Sequence, residues 1–401
     1  MSVMLTGAFG GNELLKYVQI NAYSIGWADS IIFKKHRELV SQGHESWVFW
    51  GRGNHDQDSH MQKISSNPRV YLDAFQTLVD GKIGFHSKAS TKYLLRQLDM
   101  IDPDIIHLHI IIGYYLNVEM LFEWIAKHHC KVIWTLHDCW AFTGHCIHFT
   151  YAGCTQWKSH CASSGPCPQK RTYPITVFGG DRSVKWNFMQ KQRLFTMVPR
   201  ERMRLIVPSQ WLADLAKQSF LGKYEIEVHG NTINSKVFKP TKTDFRERYD
   251  IGDRFIVLGV ASTWGERKGL DYFIKLAQDL DPKRFAVVAV GLNRKQIKTA
   301  GKMLIALPRT DSMKDLAGIY TAADVLLNPS AEETFGMNVA EASACGTRSI
   351  VIEGSACAEV AKDAIAVPQD YYAFLNEIKR LEERSAIAPS VGVLSTTSSD
   401  L

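Results

Sequence analysis

The sequence predicts an α/β protein built from two doubly wound, parallel-sheet domains. Short apolar runs rich in β-branched and aromatic residues alternate with amphipathic helical patterns along the chain. The runs are continuous rather than alternating, as strands covered on both faces require. The alternation then restarts after a polar stretch containing a proline, KVFKPTKTDF (236–245).

Taken in order, KYVQIN (16–21) reads as a strand and ADSIIFKKHRELVSQG (28–43) as a helix ended by Gly43. SWVFW (46–50) is a second strand. PDIIHLH (103–109) and KVIWTLHD (131–138) are strands flanking the helix of LNVEMLFEWIAKHH, and RLIVPS (204–209) leads into a helix from Gln210. Beyond the linker, RFIVLGVAST, RFAVVAVG, MLIAL, VLLNPS and RSIVI read as strands. GLDYFIKLAQDL, LAGIYTAAD and MNVAEASACG read as the helices between them. The expected domains are 16–238, carrying a Cys-rich insert at 139–170, and 239–385. Residues 1–15 form a leader of unassigned role, and the Ser/Thr-rich 386–401 a frayed tail. Two such domains leave a ligand cleft between the carboxyl ends of their sheets.

Apolar residues make up 45% of the 401 and charged residues 22%, an ordinary globular mix, and no run of eighteen apolar residues suggests a spanning helix. The net charge of +6 permits contact with phosphate-bearing substrates or an anionic membrane surface. With no long Lys/Arg run and no nucleic-acid motif, nucleic acid is not an expected partner. The start lacks the flanks of a secretory signal, and the chain has eight cysteines. Both point to the reducing cytoplasm, with peripheral contact at the inner membrane face as an option.

NPSAEETFGMNVAEASACGTRSIV (328–351) carries the chemistry of the second domain. Gly336 removes a side chain where a helix begins, so a ligand can approach the backbone. The N–H groups of Phe335, Gly336, Met337, Asn338 and Val339 would form an anion site that fits a diphosphate. Glu333 in the loop and Glu341 one turn into the helix suit sugar and ribose hydroxyls, since a carboxylate accepts two at once. The bland alternative is a helix-end acid and a solvated acid.

The stretch resembles the E-x7-E signature of the retaining GT-B glycosyltransferases called family 4. PDIIHLH, VIWTLHD, LIVPSQWLADL, VHGNTINSKVFKP and ASTWGERKGLDYF match in the expected order, so the resemblance covers roughly residues 16 to 375. It implies the GT-B fold and a Lys and an Arg that clamp the donor diphosphate. Lys268 matches the Lys. Ser262 stands where the Arg is usual, with Arg267 as a candidate substitute, and Arg309 is a weaker candidate for the base or phosphate. The resemblance also places His137 beside the transferred sugar, with Asp138 orienting its ring or ordering its loop. Gly26 and Trp27 fall on the acceptor side, where Trp27 packs on an acceptor ring or on the core. His107 and His109 are weaker, with at most one expected to face the cleft.

Asp102-Pro103-Asp104 has the look of a metal-binding D-x-D but reads as a helix-to-strand turn, so no catalytic metal is expected. Cys146, Cys154, Cys161 and Cys167, separated by seven, six and five residues, lie in a Gly/Pro-rich loop that needs an anchor. Similar inserts occur in part of the family, which makes a structural zinc one reading beside free thiols and disulfides. Together these imply a retaining enzyme moving a hexose-type sugar from a nucleoside diphosphate donor, UDP first, to a glycan or lipid-linked acceptor. A nucleotide-sugar 2-epimerase and a catalytically silent glycan-binding subunit are the alternatives.

Overall fold

The computed structural model describes residues 14–24 and 27–387. Most of the expected leader, Gly26, the Trp27 side chain and the tail from 388 lie outside the described residues. The chain divides into two compact units after Gly230, earlier than the expected boundary at 238. Phe238 is buried in the second unit's core, with Ile233 and Val237 packed against it, so this stretch belongs to that unit.

The first unit holds β1 (Lys16–Tyr23), β2 (Glu45–Arg52), β3 (Met61–Lys63), β4 (Ile105–Leu108), β5 (Lys131–Thr135), β6 (Met203–Val207) and β7 (Glu225–Val228). They form one sheet in the order β3-β2-β1-β4-β5-β6-β7, every neighbouring pair parallel. Helices α1 (Trp27–Ser41), α2 (Asn67–Asp80), α3 (Lys88–Ile101), α4 (Val118–Lys127), α5 (Gly180–Phe195) and α6 (Gln210–Lys217) cover it. Asn117 caps α4 and Ser209 caps α6, each side chain accepting an N–H of the first turn. Asp102 ends α3 in a left-handed conformation, and Asp104 accepts the N–H of Lys16 at 2.8 Å. The D-P-D segment is therefore a turn that fixes the start of β1.

The second unit repeats the plan with β8 (Phe255–Val260), β9 (Phe285–Val290), β10 (Ile305–Leu307), β11 (Val325–Asn328), β12 (Arg348–Ile352) and β13 (Ile365–Val367). Their order is β10-β9-β8-β11-β12-β13, again all parallel. Helices α7 (Phe245–Arg248), α8 (Leu270–Asp279), α9 (Arg294–Ala300), α10 (Met313–Ala322), α11 (Met337–Ala344) and α12 (Tyr371–Ile387) complete it. The sheet is sandwiched between two apolar layers, one around Leu326, Val339 and Ala342, the other around Val325, Phe273 and Phe374. Among the described residues, no helix is long and apolar enough to cross a membrane.

Candidate functional site

In the second unit, β11 ends at Asn328 and hands the chain to the loop before α11. Gly336 opens that helix at φ +101, and a Cβ there would lie 2.7 Å from Cys357 Sγ. Only glycine meets both conditions without strain. Asn338 ties the helix start to the sheet: its amide donates to the Val260 carbonyl at 3.0 Å and accepts from Asn328 Nδ2 at 3.1 Å. The N–H groups of Phe335, Gly336, Met337 and Asn338 meet no acceptor among the described residues. That of Val339 is taken by Gly336 O and Asn338 Oδ1, so the donor row ends one residue sooner than expected.

A short turn after β8, Glu266–Lys268, packs against this loop. Ala331 N donates to Arg267 O at 3.0 Å. The Arg267 guanidinium donates to Glu332 O and lies 3.7 Å from Glu333 Oε1, while Lys268 Nζ donates to that same carboxylate oxygen. Burial alone would raise the Glu333 carboxyl. The Lys268 and Arg267 charges, with hydrogen bonds from Lys268 and Ser330, outweigh it and hold Glu333 below the usual carboxylate range. Arg267 and Lys268 stand beside four open N–H groups, which suits a diphosphate. Ser262 is exposed on the loop after β8 and joins none of these contacts.

Glu341 sits one turn into α11, and its Oε2 accepts from the Tyr320 hydroxyl at 3.0 Å. Burial pushes its carboxyl up to about 7, against the downward pull of the Tyr320 hydrogen bond. Tyr320 went unforeseen because it comes from α10, twenty-one residues away in sequence. Arg309 does not reach this set. It follows edge strand β10, which β9 and β8 separate from β11. There it lines a cavity of about 560 Å³ with Lys242, Arg248 and Lys314. Asp244, Glu247, Asp311 and Asp315 line it too, while Glu333, Glu341 and the open helix start do not.

In the first unit, His137 follows β5 and is half-buried. Its Nε2 lies 3.5 Å from His109 Nδ1, and the two rings stack with centroids 5.7 Å apart. Burial lowers the His137 pKa to about 4, so its ring is neutral near pH 7. Asp138 Oδ1 accepts Trp140 N at 2.8 Å and orders the loop. His107 and His109 lie on the same face of the strand, their rings stacked at 4.0 Å, because residues two apart share a face. His107 is held by Tyr17 and Thr135, each at 2.8 Å, which makes it structural. His109 is the buried partner that the sequence reading underrated.

The Cys-rich loop has a core of its own. Phe142, Phe149 and Trp157 are buried and in mutual ring contact, with centroids 5.0 to 6.2 Å apart. Cys146, Cys161 and Cys167 are buried beside them, and all eight cysteines are free thiols. Lys191 from α5 reaches in, donating to Trp140 O at 2.6 Å. Among the described residues, no group of three or more His, Cys, Asp or Glu is placed to hold a metal. Aromatic packing among Phe142, Phe149 and Trp157 anchors the loop. Dialysis against EDTA is therefore expected to leave the melting temperature unchanged. A fall of several degrees, with stoichiometric zinc released, would restore the metal.

Two family models match the chain. The one described as Glycosyltransferase Family 4 spans residues 32–236, and the one described as Glycosyl transferases group 1 spans 254–384. A protein of Escherichia coli named as a colanic acid biosynthesis glycosyl transferase is 28% identical over 226 residues, 52% of this chain and 52% of its own. The alpha-galactosylglucosyldiacylglycerol synthase of Streptococcus pneumoniae is 26% identical over 217 residues, 47% of this chain and 57% of its own. The chain thus spans about half the length of these curated relatives. Among solved structures, a sucrose-phosphate synthase of Thermosynechococcus elongatus superposes with a TM-score of 0.64 at 17% identity, covering 92% of this chain and 90% of that one. HepE of Anabaena, solved in complex with UDP-glucose, gives 0.58 at 14%, covering 93% and 91%. At these identities the likeness speaks for the fold alone.

Proposed function

The chain belongs to glycosyltransferase family 4, and on that premise we propose that it transfers a hexose-type sugar from a UDP-linked donor to a glycan or lipid-linked acceptor in polysaccharide synthesis. The observation that carries this is the set of Arg267, Lys268, Glu333 and four open N–H groups at the carboxyl end of β11. The cations and N–H groups receive the diphosphate as it leaves, so charge builds up where positive potential already stands. Glu333 accepts hydroxyls of the donor sugar and Glu341 those of the ribose. In the first unit, His137, neutral and packed on His109, is the proposed sugar contact. The leaving diphosphate departs from the face on which the acceptor attacks, which retains the anomeric configuration. No metal is required, because fixed cations and N–H groups supply the charge. A lipid-linked acceptor would bring the protein to the inner membrane surface.

Isothermal titration with UDP, GDP and UDP-sugars tests this, with Glu341→Ala as control. UDP binding that the variant loses supports the reading, and the absence of binding to any nucleotide would sink it. The titration also has a pH signature. A carboxyl at about 7 is largely protonated at pH 6 and largely ionised at pH 8. The ionised form accepts both ribose hydroxyls, so UDP affinity rises from pH 6 to pH 8. Glu341→Gln should flatten that rise, and an unaltered profile in the variant would assign it to another group.

A further inference from the structure

Helix α2 is built inside out. Its buried face carries Val70, Asp73 and Thr77. Asp73 accepts from Thr77 Oγ1 at 3.2 Å and from the Ser87 hydroxyl, so the polar side of the helix is satisfied inward. The opposite face presents Tyr71, Leu72, Phe75, Leu78 and Val79 to solvent, Tyr71 being 73% exposed and Phe75 63%. A surface helix ordinarily does the reverse. The apolar face continues onto the segment ahead of α5: Val177 N donates to Leu78 O at 2.7 Å, and Phe178 is 80% exposed. A contiguous exposed apolar patch marks an interaction surface.

Charge says what covers it. Residues 66–92 and 165–190 together hold eight Lys or Arg against three Asp. Asp73 is buried, Asp80 bonds His86, and Asp181 bonds Lys170, so none of the three stands as a free anion on the surface. Arg69, Arg171, Arg182 and Lys185 are exposed on or next to the apolar elements. Asn187 Nδ2 and Ser183 Oγ of α5, donating to Gly81 O and Asp80 O, pin the Arg182 and Lys185 turn to the end of α2. Aromatic and aliphatic side chains with a cationic rim are what an anionic lipid surface takes up.

We propose that the exposed face of α2, with residues 175–178, is the surface by which this protein docks on an anionic membrane. Apolar side chains enter the headgroup boundary and the flanking cations lie over lipid phosphates. Docking does not depend on the transfer reaction proposed above.

The test is flotation of the full chain with vesicles of equal parts phosphatidylglycerol and phosphatidylcholine, and with phosphatidylcholine alone. The wild type is expected to float with the anionic vesicles only, less so as salt rises. Phe75→Ser with Phe178→Ser, and separately Arg182→Glu with Lys185→Glu, should each weaken partitioning by about tenfold or more. Circular dichroism should be unchanged in both, since all four side chains are exposed. A wild type that stays with neither vesicle, that binds both alike, or whose variants still float overturns the proposal. Light scattering that shows a dimer dispersed by the Phe variant, with no flotation, would make a second copy the occupant instead. UDP titration of the same proteins reads the donor site separately, so a lipid failure and a nucleotide failure are distinguishable.

Discussion

Glu333→Ala and Lys268→Ala are each expected to lower sugar transfer by more than tenfold while leaving the fold intact. The two side chains are joined in the ligand-free state, yet they serve different parts of the donor. Lys268 is proposed to meet the diphosphate, so its loss should weaken UDP itself. Glu333 is proposed to meet the sugar, so its loss should leave UDP binding near wild type and erase the preference for UDP-sugar over UDP. A tenfold loss is about 1.4 kcal/mol, within the range of a single charge-assisted contact. Breaking a deeply buried ion pair would itself unfold many proteins. Here Lys268 and Arg267 keep 21% and 22% of their side chains exposed, so water solvates them when Glu333 is lost, and Arg267 stays beside Glu333 when Lys268 is lost. The melting temperature should fall by a few degrees at most. Unchanged turnover in either variant would remove that residue from the site.

Gly336→Ala is the second large effect. Alanine at φ +101 costs about 1–2 kcal/mol in backbone strain. Its Cβ would also meet Cys357 Sγ at 2.7 Å, an overpacking cost of about 1–3 kcal/mol. Relief by backbone movement would swing the open N–H groups away from their common focus. Chemical denaturation should show a loss of about 2–4 kcal/mol, and UDP binding should be lost with it. Cys357→Ala in the same chain should recover the packing part and leave the backbone part. Wild-type stability in Gly336→Ala would mean that the turn can be made without glycine.

The strands with continuous apolar runs were legible in the sequence, and so was the alternation that fixes two parallel sheets. β3 and β13, three residues each, are too short to carry a pattern, and their place comes from pairing with β2 and β12. At the donor site the loop, its glycine and both glutamates were readable, because they sit within one short stretch. Lys268 and Arg267 were readable through the resemblance, but not as partners of Glu333. Tyr320, whose hydroxyl donates to the Glu341 carboxyl, comes from another helix. The sequence places Asp138 next to His137, but not its bond to Trp140 N, which depends on how the loop turns. In the cysteine loop, spacing shows four thiols, but only three-dimensional packing shows that Phe142, Phe149 and Trp157 form a core of their own there.

The strand orders also bear on how the chain comes off the ribosome. In each unit the first strand made is an inner one: β1 has β2 and then β3 added on one side, followed by β4 to β7 on the other. The second unit repeats the rule, with β9 and β10 laid on one flank of β8 and β11 to β13 on the other. Every newly emerged strand therefore finds an existing edge to join, and none has to insert between two strands already paired. Synthesis order is accretion order. A parallel sheet, whose pairings are all distant in sequence and slow to find from a fully unfolded chain, can in this way grow strand by strand as it is translated.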